Sequence, residues 1–110
     1  MNRKIVLGTL LSVVCTVLPT AAGAQEGDAK AGEVKAISCL GCHGIPGYSN
    51  VYPTYHVPRV GGQHAQYIIG ALNAYKKGDR SHKTMRAQAA TLSDQDMADI
   101  AAYFSAAKSE

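Results

Sequence analysis

Tryptophan is absent from this 110-residue chain, phenylalanine occurs once, and there are three cysteines. Three cysteines exclude a disulfide-rich scaffold. No Lys/Arg run exceeds Lys76-Lys77, so a basic nucleic-acid face is excluded despite a formal charge of +3. No apolar run reaches the roughly 20 residues a spanning helix needs. Internal repeats and low-complexity segments are also missing. With 46% hydrophobic and 17% charged residues the chain has globular composition, and its length allows one domain. Its apolar content leans on alanine, which buries little area. Such a core is underfilled, and domains this small commonly need a disulfide, metal or other staple.

The first 24 residues read in order as a basic start (Arg3, Lys4), an apolar stretch from Ile5 to Leu18 and a small-residue end, Ala22-Gly23-Ala24. That order is the pattern of a cleaved secretory signal peptide, which sends residues 25–110 to the periplasm. The apolar stretch of 14 residues is too short for an ordinary membrane anchor. Cys15 follows Val13-Val14, a poor match to the small residues that lipid attachment requires. Removing residues 1–24 leaves 86, and taking Arg3 and Lys4 from the 11 basic residues leaves nine against eight acidic ones, a net charge of +1. The cysteines reduce to one pair, Cys39 and Cys42.

Asp28 is placed to cap a helix running to about Leu40, with Ala31, Val34, Ile37, Ser38 and Gly41 on one face. Gly32 inside it is a local fault, explained either by close approach of another helix or by a frayed first turn. Gly44 to Gly62 is rich in Gly, Pro and Tyr, with Pro46, Pro53 and Pro58 breaking any helix and no alternation that predicts a strand. Helical spacing returns from Gln63 to Lys77, with Tyr67, Ile68, Ala71, Leu72 and Tyr75 on one side and Gly78 at the end. Asp79 to Leu92 reads as a polar loop carrying Met85. Ser93 and Asp96 then form a capping box before Met97, Ile100, Ala101 and Phe104. The expected fold is all-α: three or more helices joined by two long loops, unusual in so small a domain unless the loops are functional.

Cys39-Leu40-Gly41-Cys42-His43 is C-x-x-C-H, the pattern of covalent c-type haem attachment. Two thiols three positions apart can each bond one vinyl group of a porphyrin, and the adjacent imidazole then lies under the iron as an axial ligand. Three other readings compete. Structural zinc wants a second ligand pair, but His56, His64 and His82 form no H-x(3–5)-H pair. A thioredoxin-type C-x-x-C expects a βαβ context that this helical pattern lacks. A plain exported disulfide leaves the underfilled core unexplained.

Several stretches together carry a family resemblance. Gly27-Asp28 leads into Cys39-Leu40-Gly41-Cys42-His43-Gly44, followed by Pro58-Arg59-Val60-Gly61-Gly62-Gln63. Tyr67, Leu72, Tyr75, Gly78, Arg80 and Met85 come next, and Leu92-Ser93-Asp94-Gln95-Asp96-Met97 runs on to Tyr103. Across nearly all of residues 25–110 the chain resembles the class I cytochromes c, in particular one half of the dihaem cytochrome c4 proteins and the small single-haem periplasmic cytochromes. The resemblance implies the cytochrome c fold around one haem c, with His43 as proximal ligand, Met85 as distal ligand and the Pro58 carbonyl receiving the other ring N–H of His43. Placement in a loop, where a side chain can be aimed, also favours Met85 over Met97, which lies on the apolar stripe of the last helix. His82 and His56 are the rivals for the sixth position, their alternative being solvated loop histidines. Arg59 and Arg80 either hold haem propionates through paired hydrogen bonds or stand free on polar loops. Tyr48, Tyr52, Tyr55, Tyr67 and Tyr75 are available where relatives use a tryptophan.

These residues imply a non-enzymatic electron carrier with iron cycling between ferric and ferrous states. The expected partners are redox proteins: a membrane cytochrome complex, a terminal oxidase or a periplasmic dehydrogenase. A fixed cytochrome subunit of a dehydrogenase or oxidase complex, and a ligand-binding sensor or peroxidase-like haem protein with a labile Met85, are the competing functions.

Overall fold

The computed structural model describes residues 25–52 and 54–108; the signal-peptide reading of residues 1–24, with Cys15, and the role given to Pro53 lie outside them. The described residues form five helices: α1 (Ala29–Lys35), α2 (Ile37–His43), α3 (Ala65–Lys77), α4 (Lys83–Ala90) and α5 (Asp94–Ala106). A two-residue antiparallel pair, β1 (Ser49–Asn50) and β2 (Tyr55–His56), lies in the segment expected to be strandless. The ladder is too short for an alternating pattern to register in the sequence. Its continuation matters more, because the Val57 N–H donates to the Tyr48 carbonyl at 2.9 Å and the Val57 side chain is buried.

Asp28 caps α1 as expected, its carboxylate accepting from the Lys30 N–H at 2.8 Å. The single helix anticipated to Leu40 is instead two, divided at Ala36, and α2 continues to His43. Ala36 is fully buried, and its carbonyl accepts from both the Cys39 and Leu40 N–H groups at 2.9 and 3.0 Å. The anticipated apolar face is also corrected: Val34 and Ile37 are 68% and 66% exposed, while Gly32 and Ala36 are buried. The physical reason is that α1 meets α5 almost backbone to backbone. A Cβ on Gly32 would lie 2.0 Å from the Asp99 carbonyl oxygen, and one on Gly27 would lie 2.0 Å from that of Ala98. Close approach, rather than fraying, explains Gly32.

The crossing is fastened by Asp99, a carboxylate only 3% exposed. Its Oδ1 accepts from the Asp28 N–H at 2.8 Å and from Gln95 Nε2 at 2.7 Å, while Oδ2 accepts from Lys35 Nζ at 2.6 Å. Lys35 also pairs with Asp96 at 2.8 Å. Lys35, then the Asp28 N–H and Gln95, hold the Asp99 carboxyl below the usual carboxylate range. The Asp96 carboxyl is also held low, by Lys35 first and then by the Ser93 N–H and hydroxyl.

α5 begins with the expected capping box, in which Ser93 Oγ accepts from the Asp96 N–H and Asp96 Oδ2 accepts from the Ser93 N–H. Met97, Ile100, Ala101 and Phe104 are all buried as its stripe predicts. α3 packs on α5 through Ile68 and Leu72 and ends at Gly78 in the left-handed conformation, φ 89°. Tyr67, one position off that stripe, is 57% exposed, contrary to expectation. The second long loop is corrected as well, since residues 83–90 are helical and α4 packs against α3. Only Ala89 of α4 is buried, so the sequence carries no apolar stripe there. The buried cluster is small and alanine-rich: Ala36, Ala89 and Ala101 join Ile68, Leu72, Met97, Ile100 and Phe104.

Gly32→Ala is expected to lower unfolding stability by about 1–3 kcal/mol through overpacking. Gly70→Ala, whose Cβ on α3 would meet open space, should raise stability by about 0.5–1 kcal/mol. Urea unfolding of the pair against the parent checks both signs. Because Asp96 and Asp99 ionise more readily folded than unfolded, their contribution is complete above the ordinary carboxylate range of about 4 and is lost as pH falls through their depressed values. Urea midpoints at pH 7, 5 and 3 should therefore fall less steeply in Asp99→Asn than in the parent.

Candidate functional site

The last turn of α2 presents Cys39, Cys42 and His43 together. Positions three apart share a helix face, and both cysteines are half-buried free thiols. Burial pushes the Cys39 thiol up, with Ser38 opposing it only in part. Leu40 and Cys39 pack against the buried cluster and fix the rotation of α2. The turn closes tightly at Gly44, whose N–H donates to the Leu40 carbonyl at 3.0 Å and where a Cβ would lie 2.7 Å from that oxygen.

His43 Nδ1 lies 2.6 Å from the Pro58 carbonyl oxygen. A carbonyl oxygen can only accept, so Nδ1 carries the proton and the Nε2 lone pair is left available to a metal. This is the contact implied by the family resemblance. It is reached through the Gly44–Gly62 segment, which returns to α2 through the β1–β2 pair and buried Val57.

Met85 does not sit in a loop. It occupies the first turn of α4, half-buried against the core, while Met97 is fully enclosed in α5 and unavailable as a ligand. His82 is not a solvated loop residue: it is the N-cap of α4, its Nδ1 accepting from the Met85 N–H at 3.3 Å. Its ring meets Tyr55 edge-on, with centroids 4.7 Å apart. His56 is exposed on β2, and His64 is exposed at the start of α3. Arg80 places its guanidinium 4.6 Å from the centroid of the Tyr75 ring. Arg59 is exposed and lines a cavity of about 160 Å³ with Leu40, His43, Phe104 and Lys108.

Among the described residues no three His, Cys, Asp or Glu side chains gather as a metal-ion cage, which removes the ligand set that a zinc reading requires. A porphyrin fits what is present. Two free thiols and an imidazole with its Nε2 free stand at one helix end, and Leu40, Val60, Ile69, Tyr75, Met85 and Leu92 are apolar groups left half-buried against the core. The family model for cytochrome c matches residues 29–108. The chain belongs to the cytochrome c family.

It is 40% identical to cytochrome c4 of Pseudomonas aeruginosa over 106 residues, which cover 96% of this chain and 49% of that protein. It is 44% identical to cytochrome c-554(548) of Halomonas halodenitrificans over 82 residues, covering 72% of this chain and 95% of that one. The crystal structure of reduced recombinant cytochrome c4 from Pseudomonas stutzeri aligns with a TM-score of 0.58 at 28% identity, over 76% of this chain and 53% of that one. The chain spans about half the length of the cytochrome c4 relatives it matches. As a cytochrome c it has the cytochrome c fold and carries covalently bound haem c. No helix among the described residues is long and apolar enough to cross a membrane.

Three features escaped the sequence reading: buried Asp99, the helix α4 and its histidine cap. The signal available for α4 was propensity rather than periodicity: Lys83, Met85, Arg86, Ala87, Gln88, Ala89 and Ala90 are all strong helix formers.

Proposed function

We propose that this cytochrome c is a periplasmic electron carrier, exported by the segment 1–24, with one haem c bonded to Cys39 and Cys42 and with His43 and Met85 as axial ligands. The haem, when bound, supplies the one-electron ferric/ferrous couple. The observation that carries the proposal is the 2.6 Å contact of His43 Nδ1 with the Pro58 carbonyl beside two free thiols. It fixes the ring tautomer and orientation, and raises the basicity of Nε2. The Cys39 and Cys42 thiols, both free, would hold the porphyrin through two thioether bonds. The Met85 thioether would join the His43 imidazole in holding the iron, so that protein groups and not a substrate serve as its ligands.

Arg59, exposed beside His43, is a candidate partner for a propionate, to which its guanidinium offers two parallel donors. A net charge of +1 over residues 25–110 gives little long-range steering, which suits a brief and partly wet encounter with redox partners. A membrane cytochrome complex, a terminal oxidase and a periplasmic dehydrogenase are partners of this kind.

In the Cys39→Ala/Cys42→Ala double variant, acid-acetone extraction should remove any haem, whereas the parent should retain it. Retention by the variant overturns the attachment assignment. Met85→Ala should lose the weak far-red band of a ferric iron–methionine bond and have a lower reduction potential than the parent. An unchanged spectrum and potential would refute the distal assignment.

A further inference from the structure

A helix N-terminus leaves its first N–H groups without carbonyl partners, and an oxygen of Ser, Thr, Asp or Asn ordinarily accepts from one of them. In α4 the acceptor is an imidazole, and the N–H it satisfies is that of Met85, 3.3 Å from His82 Nδ1. An extended backbone at His82, φ −152° and ψ 110°, turns the ring back over the first turn. For Nδ1 to accept, the ring proton must be on Nε2. The ring is itself held, since Tyr55 meets it edge-on at 88° and 4.7 Å. The Tyr55 hydroxyl then reaches Thr84 Oγ1 at 3.3 Å, so the turn that carries Met85 is gripped at two points.

Tyr55 comes from β2, three residues before Pro58. One short stretch therefore reaches His43 through the Pro58 carbonyl and the first turn of α4 through Tyr55.

We infer that His82 and Tyr55 are positioning residues for the distal ligand: the imidazole cap fixes the Met85 backbone, and Tyr55 fixes the imidazole. The inference rests on the reading of Met85 as that ligand. It gives His82 a task other than binding iron, and it gives the tyrosine-rich loop a task on both axial sides.

The test is imidazole titration of the ferric holoprotein, followed by loss of the far-red iron–methionine band, in the parent, His82→Ala, His82→Asn and Tyr55→Leu. Opening the first turn frees the thioether, so His82→Ala should bind imidazole roughly fivefold more tightly, the factor that loss of a side-chain cap typically represents. Asparagine, itself a strong cap, should restore affinity to within about twofold of the parent. Tyr55→Leu should fall between. Amide hydrogen exchange at Met85 should follow the same order. Imidazole affinity in His82→Ala equal to the parent overturns the inference, even where its melting temperature falls. If His82→Ala yields no holoprotein, His82→Gln, too long to cap, takes its place against His82→Asn and is judged by the same comparison. A parent that lacks the far-red band would instead show that the Met85 reading has failed, and the positioning role with it.

Discussion

Where α1 crosses α5 the two backbones meet with no side chain between them, because Gly27 and Gly32 supply none. That contact sets the geometry of the rest. It brings the Asp28 N–H and Lys35 onto one buried carboxylate, Asp99, whose hydrogen bonds are all made within the crossing. A buried charge is costly unless paired and hydrogen-bonded, so glycine packing and ionic clip depend on each other. With α1 so fixed, the chain turns at Ala36 and α2 starts in a defined direction, which sets Cys39 against the core with Cys42 and His43 following on the same helix.

What flanks the core is as informative as the core. Eight buried side chains, three of them alanine, are flanked by half-buried apolar groups that include Cys39, Leu40, Val60, Ile69, Met85 and Leu92. A small domain gains from any rigid apolar body that covers such groups. In a cytochrome c the porphyrin is that body as well as the redox centre. The Gly44–Gly62 segment is long for a domain of this size because it must leave α2 and return with its Pro58 carbonyl aimed at His43.

What could be read from the sequence was local. C-x-x-C-H, the Ser93–Asp96 capping box and the Met97–Phe104 stripe each lie within a few residues, and the last two describe α5 correctly. The face of α1 misled because periodicity weighs large apolar side chains, whereas the contact with α5 is made by the residues with the least side chain. Val34 and Ile37 consequently pointed the wrong way. α4 was hidden for two reasons: its cap is a histidine, outside the usual capping set, and it buries only Ala89. Asp99 is a polar residue in an apolar stretch, and its partners at Asp28 and Lys35 are distant in sequence. The His43–Pro58 contact spans 15 positions and came from family resemblance rather than from spacing.

The bond from Asp28 to Asp99 joins residues 71 positions apart. Closing a loop of that length costs chain entropy, which the contact must offset. α1 and α5 thus tie the two ends of the domain together, so that loosening either end would loosen the crossing from which α2 takes its direction.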